Sequence, residues 1–171
     1  MKTTPYINFH THHPVYENEV SLGCEEHGMD RRWDIPLAEQ ETAFRQHVQE
    51  SERTGKPLVI HCVRTLEHIL RIRRDMKPVQ PWIMHGFRGK PQQLQSLLSA
   101  DIYVSFGLHF NRESLTLCPL NRMFLETDDT PAPIAPLYKE VAQIKGIPVE
   151  NLKQIIWENA NKLFPNLAKN G

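Results

Sequence analysis

Four short apolar runs in this chain each end in a side chain that can bind a metal ion. Runs of Ile, Leu, Val and aromatic residues without alternation are typical of strands buried on both faces, as in a parallel sheet. The runs are 6–9 before His10 and His12, 57–60 before His61, 82–84 before His85, and 123–127 before Asp128. Because the carboxyl ends of parallel strands share one face of the sheet, these side chains are predicted to converge there. The simplest centre that they can form is a metal site.

Size and composition predict one cytoplasmic domain, spanning residues 1–171. The 20 basic and 20 acidic residues balance, so charge alone gives no sign of a nucleic-acid coat or an anionic membrane surface. No apolar stretch approaches the roughly 18–20 residues of a membrane span, and the amino terminus lacks the apolar core of a signal peptide. Cys24, Cys62 and Cys118 are odd in number and far apart, which favours a reducing compartment.

From residue 57 onward, strand and helix patterns alternate. Strands are predicted at 58–62, 82–86, 102–106 and 123–127, and helices at 36–54, 65–76, 91–100, 134–146 and 149–164. This alternation predicts an α/β fold with a TIM-barrel-like parallel βα architecture, open or closed. The first third is less regular, because only seven residues separate His12 from the short apolar group 20–22. A parallel crossover usually needs a dozen or more, so this group either pairs with the first strand without a covering helix or is not its parallel neighbour.

The strand ends supply both imidazoles and carboxylates. His10 and His12 are two residues apart on a strand, so both rings project from the same face. Imidazole suits zinc and other first-row ions, whereas carboxylates also admit magnesium or manganese. Glu126 and Asp128 share a face for the same reason. Asp128 lies nearer the rim and is the preferred ligand or general base, while the deeper Glu126 has the alternative of bonding inside the barrel.

Several motifs, taken in order, resemble those of one known family. They are Phe9-His10-Thr11-His12, Glu26-His27-Gly28-Met29-Asp30, Ile60-His61-Cys62, Met84-His85-Gly86-Phe87-Arg88-Gly89, Leu125-Glu126-Thr127-Asp128 and Glu158-Asn159-Ala160-Asn161. Each motif is weak alone, but the combination is specific and resembles the TatD family of metal-dependent hydrolases, a branch of the amidohydrolase-like TIM barrels. The amino-acid sequence of residues 82–91 is similar to that of the short bacterial members.

The resemblance implies two divalent metal ions, zinc, magnesium or manganese, with a bridging carboxylate. One ion would be held by His10, His12, Glu26 and Asp128, and the other by Glu26, His61 and His85. It also selects Glu26 over Glu25, between which composition alone does not choose. Two such ions can lower the pKa of water and stabilise charge on a phosphoryl oxygen, with Asp128 and Glu26 as the catalytic carboxylates. Arg64, Arg88 and Lys90 follow strand ends and are expected to contact an anionic substrate, DNA or another phosphodiester.

The chain departs from the family pattern in its first third. Family members place two further strand–helix units between the first strand and the Glu26 motif, and the third strand normally adds a histidine. About six strands are expected here instead of eight. Three accounts stay open: an internal deletion, natural or engineered; a break in the numbering; or a variant whose open sheet edge pairs with another subunit, giving a homo-oligomer. The alternatives to a TatD-type deoxyribonuclease are a hydrolase of another ester or amide, and a metal-binding remnant without turnover.

Overall fold

The computed structural model describes residues 3–13, 16–23 and 25–167, so Cys24 lies outside the described part of the chain. Its seven strands and six α-helices alternate along most of the sequence. The strands are β1 (Tyr6–Asn8), β2 (Glu19–Ser21), β3 (His27–Asp30), β4 (Leu58–Val63), β5 (Trp82–Met84), β6 (Tyr103–Phe106) and β7 (Met123–Leu125). The helices are α1 (Leu37–Thr54), α2 (Leu66–Met76), α3 (Pro91–Ser99), α4 (Arg112–Leu117), α5 (Ala135–Lys145) and α6 (Val149–Leu163), with a 3₁₀ turn at Leu120–Arg122.

All strand pairs are parallel, in a two-stranded sheet β1-β2 and a five-stranded sheet β3-β4-β5-β6-β7. Bonds between β1 and the end of β7 place the two sheets side by side. Phe9 N–H donates to the Leu125 carbonyl at 2.9 Å, and a parallel bridge joins Thr11 to Asp128. The strands therefore follow one another as β2-β1-β7-β6-β5-β4-β3. Among the described residues, no ladder joins the two outer strands β2 and β3, so the array is an incomplete barrel.

The predicted α/β fold is confirmed, with seven strands where about six were expected. The additional strand comes from the short apolar group near Val20, which pairs in parallel with β1 in the register Ile7 to Val20. The chain makes this step without a covering helix. β3 begins at His27, six positions after the last residue of β2, and pairs with β4 in the register Gly28 to His61. The two outer strands of the array are thus neighbours in sequence.

The core lies between the strands and the helices that follow them. Phe44 of α1 packs edge-on against Trp82 of β5, with ring centroids 5.5 Å apart. The buried Tyr138 of α5 donates its hydroxyl to the Ile7 carbonyl at 2.7 Å. Asn159, in the closing motif of α6, donates to the carbonyls of Leu120 and Met123 and so holds the start of β7. None of the described helices combines the length and apolar character needed to cross a membrane.

Candidate metal centre

The carboxyl ends of the strands bring four of the predicted ligands to one point. One ligand atom from each of His10, Glu26, His85 and Asp128 lies within 4.8 Å of all the others. Glu26 Oε2 is central, 3.1 Å from His10 Nε2 and 2.7 Å from His85 Nε2. His10 Nε2 is also 3.3 Å from Asp128 Oδ1. Residues separated by more than one hundred positions therefore share one small volume.

The other two predicted ligands, His12 and His61, flank this cluster on opposite sides. His12 Nε2 lies 3.5 Å from Asp128 Oδ1, and its side chain is 44 % exposed. His61 Nδ1 lies 3.4 Å from Glu26 Oε1 and 3.4 Å from His85 Nε2. All six predicted residues thus lie close together, and the tightest set of ligand atoms takes members from both of the groups that the resemblance implies.

Two buried atoms at the middle of the cluster lack hydrogen-bond partners and are better suited to binding a metal ion. His10 Nε2 and Glu26 Oε2 are close, yet neither makes a hydrogen bond of acceptable geometry within the described residues. A buried polar atom without a partner costs about 1–3 kcal/mol, so a native site rarely leaves two side by side. Imidazole nitrogens and carboxylate oxygens are ligands for zinc and manganese, and carboxylates also for magnesium. The donor set therefore suits a divalent ion.

The electrostatics of the centre depend on its carboxylates and imidazoles together. Burial opposes ionisation of Glu26, but His10 and His85 outweigh it and hold the pKa of Glu26 far below its ordinary value. Burial also opposes protonation of His85. The nearby carboxylates of Glu126 and Glu26 prevail and raise the pKa of His85 to about 10. Glu26 is therefore a carboxylate, the form that binds cations.

Asp30 orients His61, a role that sequence reasoning did not assign. The Arg32 guanidinium, despite the opposing burial and with help from His61, holds the pKa of Asp30 far below its ordinary value. An ionised carboxylate only accepts, so His61 Nε2 carries the proton that is donated to Asp30 Oδ2 at 2.8 Å. The opposite nitrogen, Nδ1, is then free to bind an ion beside Glu26. The only sequence signal for this role was the last position of the Glu26 motif.

Glu126 orients His85 in the same way. It hydrogen-bonds inside the barrel, which was one of the alternatives open for it. It is fully buried and accepts from the Gly86 backbone N–H at 2.8 Å through Oε1. Its other oxygen lies 3.1 Å from His85 Nδ1. His85 therefore presents Nε2 to Glu26. Carboxylates behind ligating histidines fix the ring orientation and raise the basicity of the ligand nitrogen.

A buried polar network aligns the ends of β1 and β7, which carry His10 and Asp128. Asn8 Nδ2 donates to Thr127 Oγ1 at 2.8 Å, and Thr127 Oγ1 lies 3.2 Å from Thr11 Oγ1. Asp128 itself has a φ of 55°, in the left-handed region that residues other than glycine seldom adopt. Such strain persists only where the surroundings impose it, and it turns the carboxylate toward the cluster.

A cleft of about 500 Å³ opens beside the cluster and is lined by His61, His85 and Asp128. Of the predicted substrate contacts, Arg64 and Arg88 line this cleft, whereas Lys90 does not and forms the exposed residue before α3. Arg32 also lines it, through its position on the Asp30 carboxylate. Three arginines therefore line the cleft together with the carboxylate residues Asp128 and Asp129.

Three aromatic residues, Trp33, Phe87 and Phe110, follow the ends of β3, β5 and β6, where an aromatic ring could stack on a nucleic-acid base. Trp33 is 43 % exposed and stacks on His61, with ring planes 9° apart and centroids 5.4 Å apart. Phe87 is buried and packs edge-on against Phe106. Phe110 packs against the core from a half-buried position. Only Trp33, among these three, offers an open ring face near the centre.

Parallel strands with imidazoles and carboxylates gathered at their carboxyl ends define a βα-barrel-type protein with a candidate metal centre. The chain belongs to the TatD-related DNase family, whose model matches residues 16–165.

The relatives agree with this membership, and a solved structure shares the fold. YabD of Bacillus subtilis (strain 168), described as an uncharacterized metal-dependent hydrolase, is 28% identical over 172 residues, covering 88% of this chain and 67% of the relative. MG009 of Mycoplasma genitalium, described in the same way, is 30% identical and covers 88% and 68%. The crystal structure of the TatD homologue YjjV from Escherichia coli K12 superposes with a TM-score of 0.75 at 19% identity, covering 87% of this chain and 65% of that chain. The chain thus spans about two thirds of the length of these proteins.

Proposed function

We propose that this protein is a metal-dependent hydrolase of phosphodiester bonds, a TatD-type deoxyribonuclease. The observation that supports it most strongly is the pair of unpartnered buried atoms, His10 Nε2 and Glu26 Oε2, beside a cleft lined by arginines. The family description, TatD-related DNase, supports DNA as the substrate. The relatives described as metal-dependent hydrolases support hydrolysis in general.

The residues of the chain have distinct parts in the proposed reaction. Divalent ions bound at this centre would lower the pKa of water and stabilise negative charge on a phosphoryl oxygen. Glu26 would hold the two halves of the centre together, with His10, His12 and Asp128 on one side. Asp128, which is 37 % exposed, can also accept a proton from water in the cleft. Arg64 and Arg88 would bind the phosphate oxygens, for which guanidinium groups are well suited.

The test is hydrolysis by the purified chain with added magnesium, manganese or zinc, and with EDTA. Single-stranded DNA and bis(p-nitrophenyl) phosphate should be cleaved in a metal-dependent way, and p-nitrophenyl acetate should not. Glu26→Gln should lower the rate by roughly 100-fold or more, beyond the 10–100-fold typical of residues behind the ligands. Glu25→Gln is the matched control, because it removes an adjacent exposed carboxylate and should leave the rate within about twofold.

Other outcomes would favour the alternatives. Cleavage of the acetate ester alone would indicate a hydrolase of another ester or amide. Metal binding without turnover on any substrate would indicate a metal-binding remnant, a candidate that the two-thirds coverage of the relatives favours. Equal activity of wild-type protein and Glu26→Gln would contradict the assignment of the centre.

We also propose self-association through the outer edges of β2 and β3, which form no ladder within the described residues. Unpaired edge strands present free backbone donors and acceptors to a second chain. Light scattering on the full chain checks it, and a mass of one chain at all concentrations would contradict it.

A further inference from the structure

A second cavity, of about 400 Å³, lies beside the cleft of the metal centre. The two spaces share three lining residues, Arg64, Leu66 and Gln93. The second cavity faces the first turn of α2, and most of its other lining residues are polar, including Arg31 and His68. Arg64 therefore separates the metal centre from a neighbouring space that none of the proposed chemistry uses.

Hydrogen-bond donors converge on this second cavity without enough acceptors. A guanidinium nitrogen of Arg31 lies 3.4 Å from His68 Nε2, and one of Arg71 lies 3.5 Å from His68 Nδ1. An imidazole carries a proton on at least one nitrogen, so at most one of these contacts has an acceptor. The other contact places two donors face to face. An anion in the cavity would accept from both.

The charges around the cavity favour an anion as well. Arg71 is paired with Glu41 at 2.7 Å, and the carboxylate of Glu67 lines the cavity. In contrast, no ion pair involves Arg31 or Arg64 in the parts of the chain that the structure describes. The cavity lining thus includes the two arginines Arg31 and Arg64 and the imidazole of His68, but only one acidic residue, Glu67.

The backbone around Arg64 is held in a fixed shape. Arg64 has a φ of 56°, and its carbonyl accepts from Arg31 Nε at 2.6 Å. The hydroxyl of Thr65 donates to the Met29 carbonyl and makes no capping hydrogen bond to the first turn of α2. Arg31 therefore both faces the cavity and orients the loop that carries Arg64.

We propose that this cavity binds a second phosphate of the substrate, next to the phosphate at the metal centre. The proposal rests on the proposed function for the first phosphate. Arg31 and His68 contact the second phosphate, and Arg64 lies between the two positions. The substrate is accordingly a chain of at least two successive phosphodiesters, bound more tightly than an isolated phosphate ester.

Binding of a fluorescein-labelled ten-nucleotide oligothymidylate, measured by anisotropy in EDTA, tests this site without turnover. Arg31→Gln should weaken binding about fivefold to tenfold at low salt. It should also reduce the slope of log affinity against log salt by about 0.7, the value for one phosphate contact in a single strand. Arg74→Gln, which removes a charge from the last turn of α2, should change affinity less than twofold. Arg31→Lys keeps the charge and should keep most of the affinity and the slope.

Three results would overturn the site: wild-type protein that does not bind the probe, Arg31→Gln that binds as wild type, or Arg31→Lys that loses as much as Arg31→Gln. The last would mean that Arg31 acts only by holding the Arg64 loop. Free inorganic phosphate is the other candidate occupant, and it is favoured if millimolar phosphate displaces the probe from wild-type protein as well as unlabelled oligothymidylate does. The expected binding pattern without hydrolysis would reject the hydrolase proposal and keep the site. Hydrolysis by wild-type protein together with unchanged binding by Arg31→Gln would keep the hydrolase proposal and reject the site.

Discussion

Replacing Gly28 by alanine should destabilise the protein by about 3 kcal/mol, because β3 approaches β4 too closely for a side chain. A Cβ at Gly28 would lie 1.6 Å from the His61 carbonyl oxygen, whereas such contacts are essentially never shorter than 3.0 Å. The obstacle is backbone and not a flexible side chain, so the strands must separate by more than about 1 Å at this position. Overpacking typically costs about 1–3 kcal/mol, and weakening ladder bonds adds roughly 1 kcal/mol each.

Thermal unfolding followed by circular dichroism measures this cost. For a chain of this size each kcal/mol lowers Tm by about 2–4 °C, so Gly28→Ala should lower it by roughly 6–12 °C. Gly107→Ala is the control, since its Cβ would meet Glu126 Cγ at an ordinary 3.8 Å. That variant should stay within about 0.5 kcal/mol of wild type. If the two variants are equally stable, the close approach of β3 to β4 is not what requires glycine.

Three further predictions concern the centre itself. Asp30→Asn should weaken zinc binding about 10–100-fold because His61 loses the carboxylate that orients it, and titration calorimetry beside the exposed control Asp34→Asn checks this. Glu126→Gln should weaken zinc binding to a similar extent, because His85 loses its carboxylate partner. Wild-type affinity in this variant would mean that the Glu126 carboxylate is not needed to orient His85. Zinc at 100 times its Kd should raise Tm by about 5–11 °C, which corresponds to about 2.7 kcal/mol. Glu26→Gln should abolish most of that rise, and an undiminished rise would place the zinc elsewhere.

The sequence predicts the later part of the fold closely because each element there has a local signal. The helix expected at 36–54 is α1 at Leu37–Thr54, which follows Pro36 and stops at Gly55 in a left-handed conformation. The strand expected at 58–62 is β4 at Leu58–Val63. The short helix α4 was not predicted, since its six residues are too few for a clear apolar period.

Long-range pairing has no such local signal, and it decides the first third of the chain. Whether the group near Val20 pairs with β1 depends on the backbone of two segments separated by a loop. The answer, a parallel ladder without a crossover helix, breaks the usual length requirement. Sequence periodicity therefore left two alternatives that only the coordinates separate.

The candidate ligands could be predicted, whereas the residues that orient them mostly could not. His10, His61, His85 and Asp128 each end an apolar run, and convergence follows from the parallel sheet. Asp30 also ends a strand, but its ion pair with Arg32 and its bond to His61 depend on the register of β3 against β4. A sequence pattern indicates which face a side chain occupies and not which atom it meets.

The shortened first third and the metal centre are linked through Glu26. The segment 22–26 joins the two outer strands of the array, and Glu26 is its last residue. On one side, the Gly23 carbonyl accepts from Thr11 N–H at 3.1 Å, next to His10. On the other side, His27 pairs with Ile60, one residue before His61. Gly23 and His27 thus contact the two halves of the strand array, and Glu26 lies close to both His10 and His61. The two halves of the centre can therefore meet in this chain without the two intervening strand–helix units.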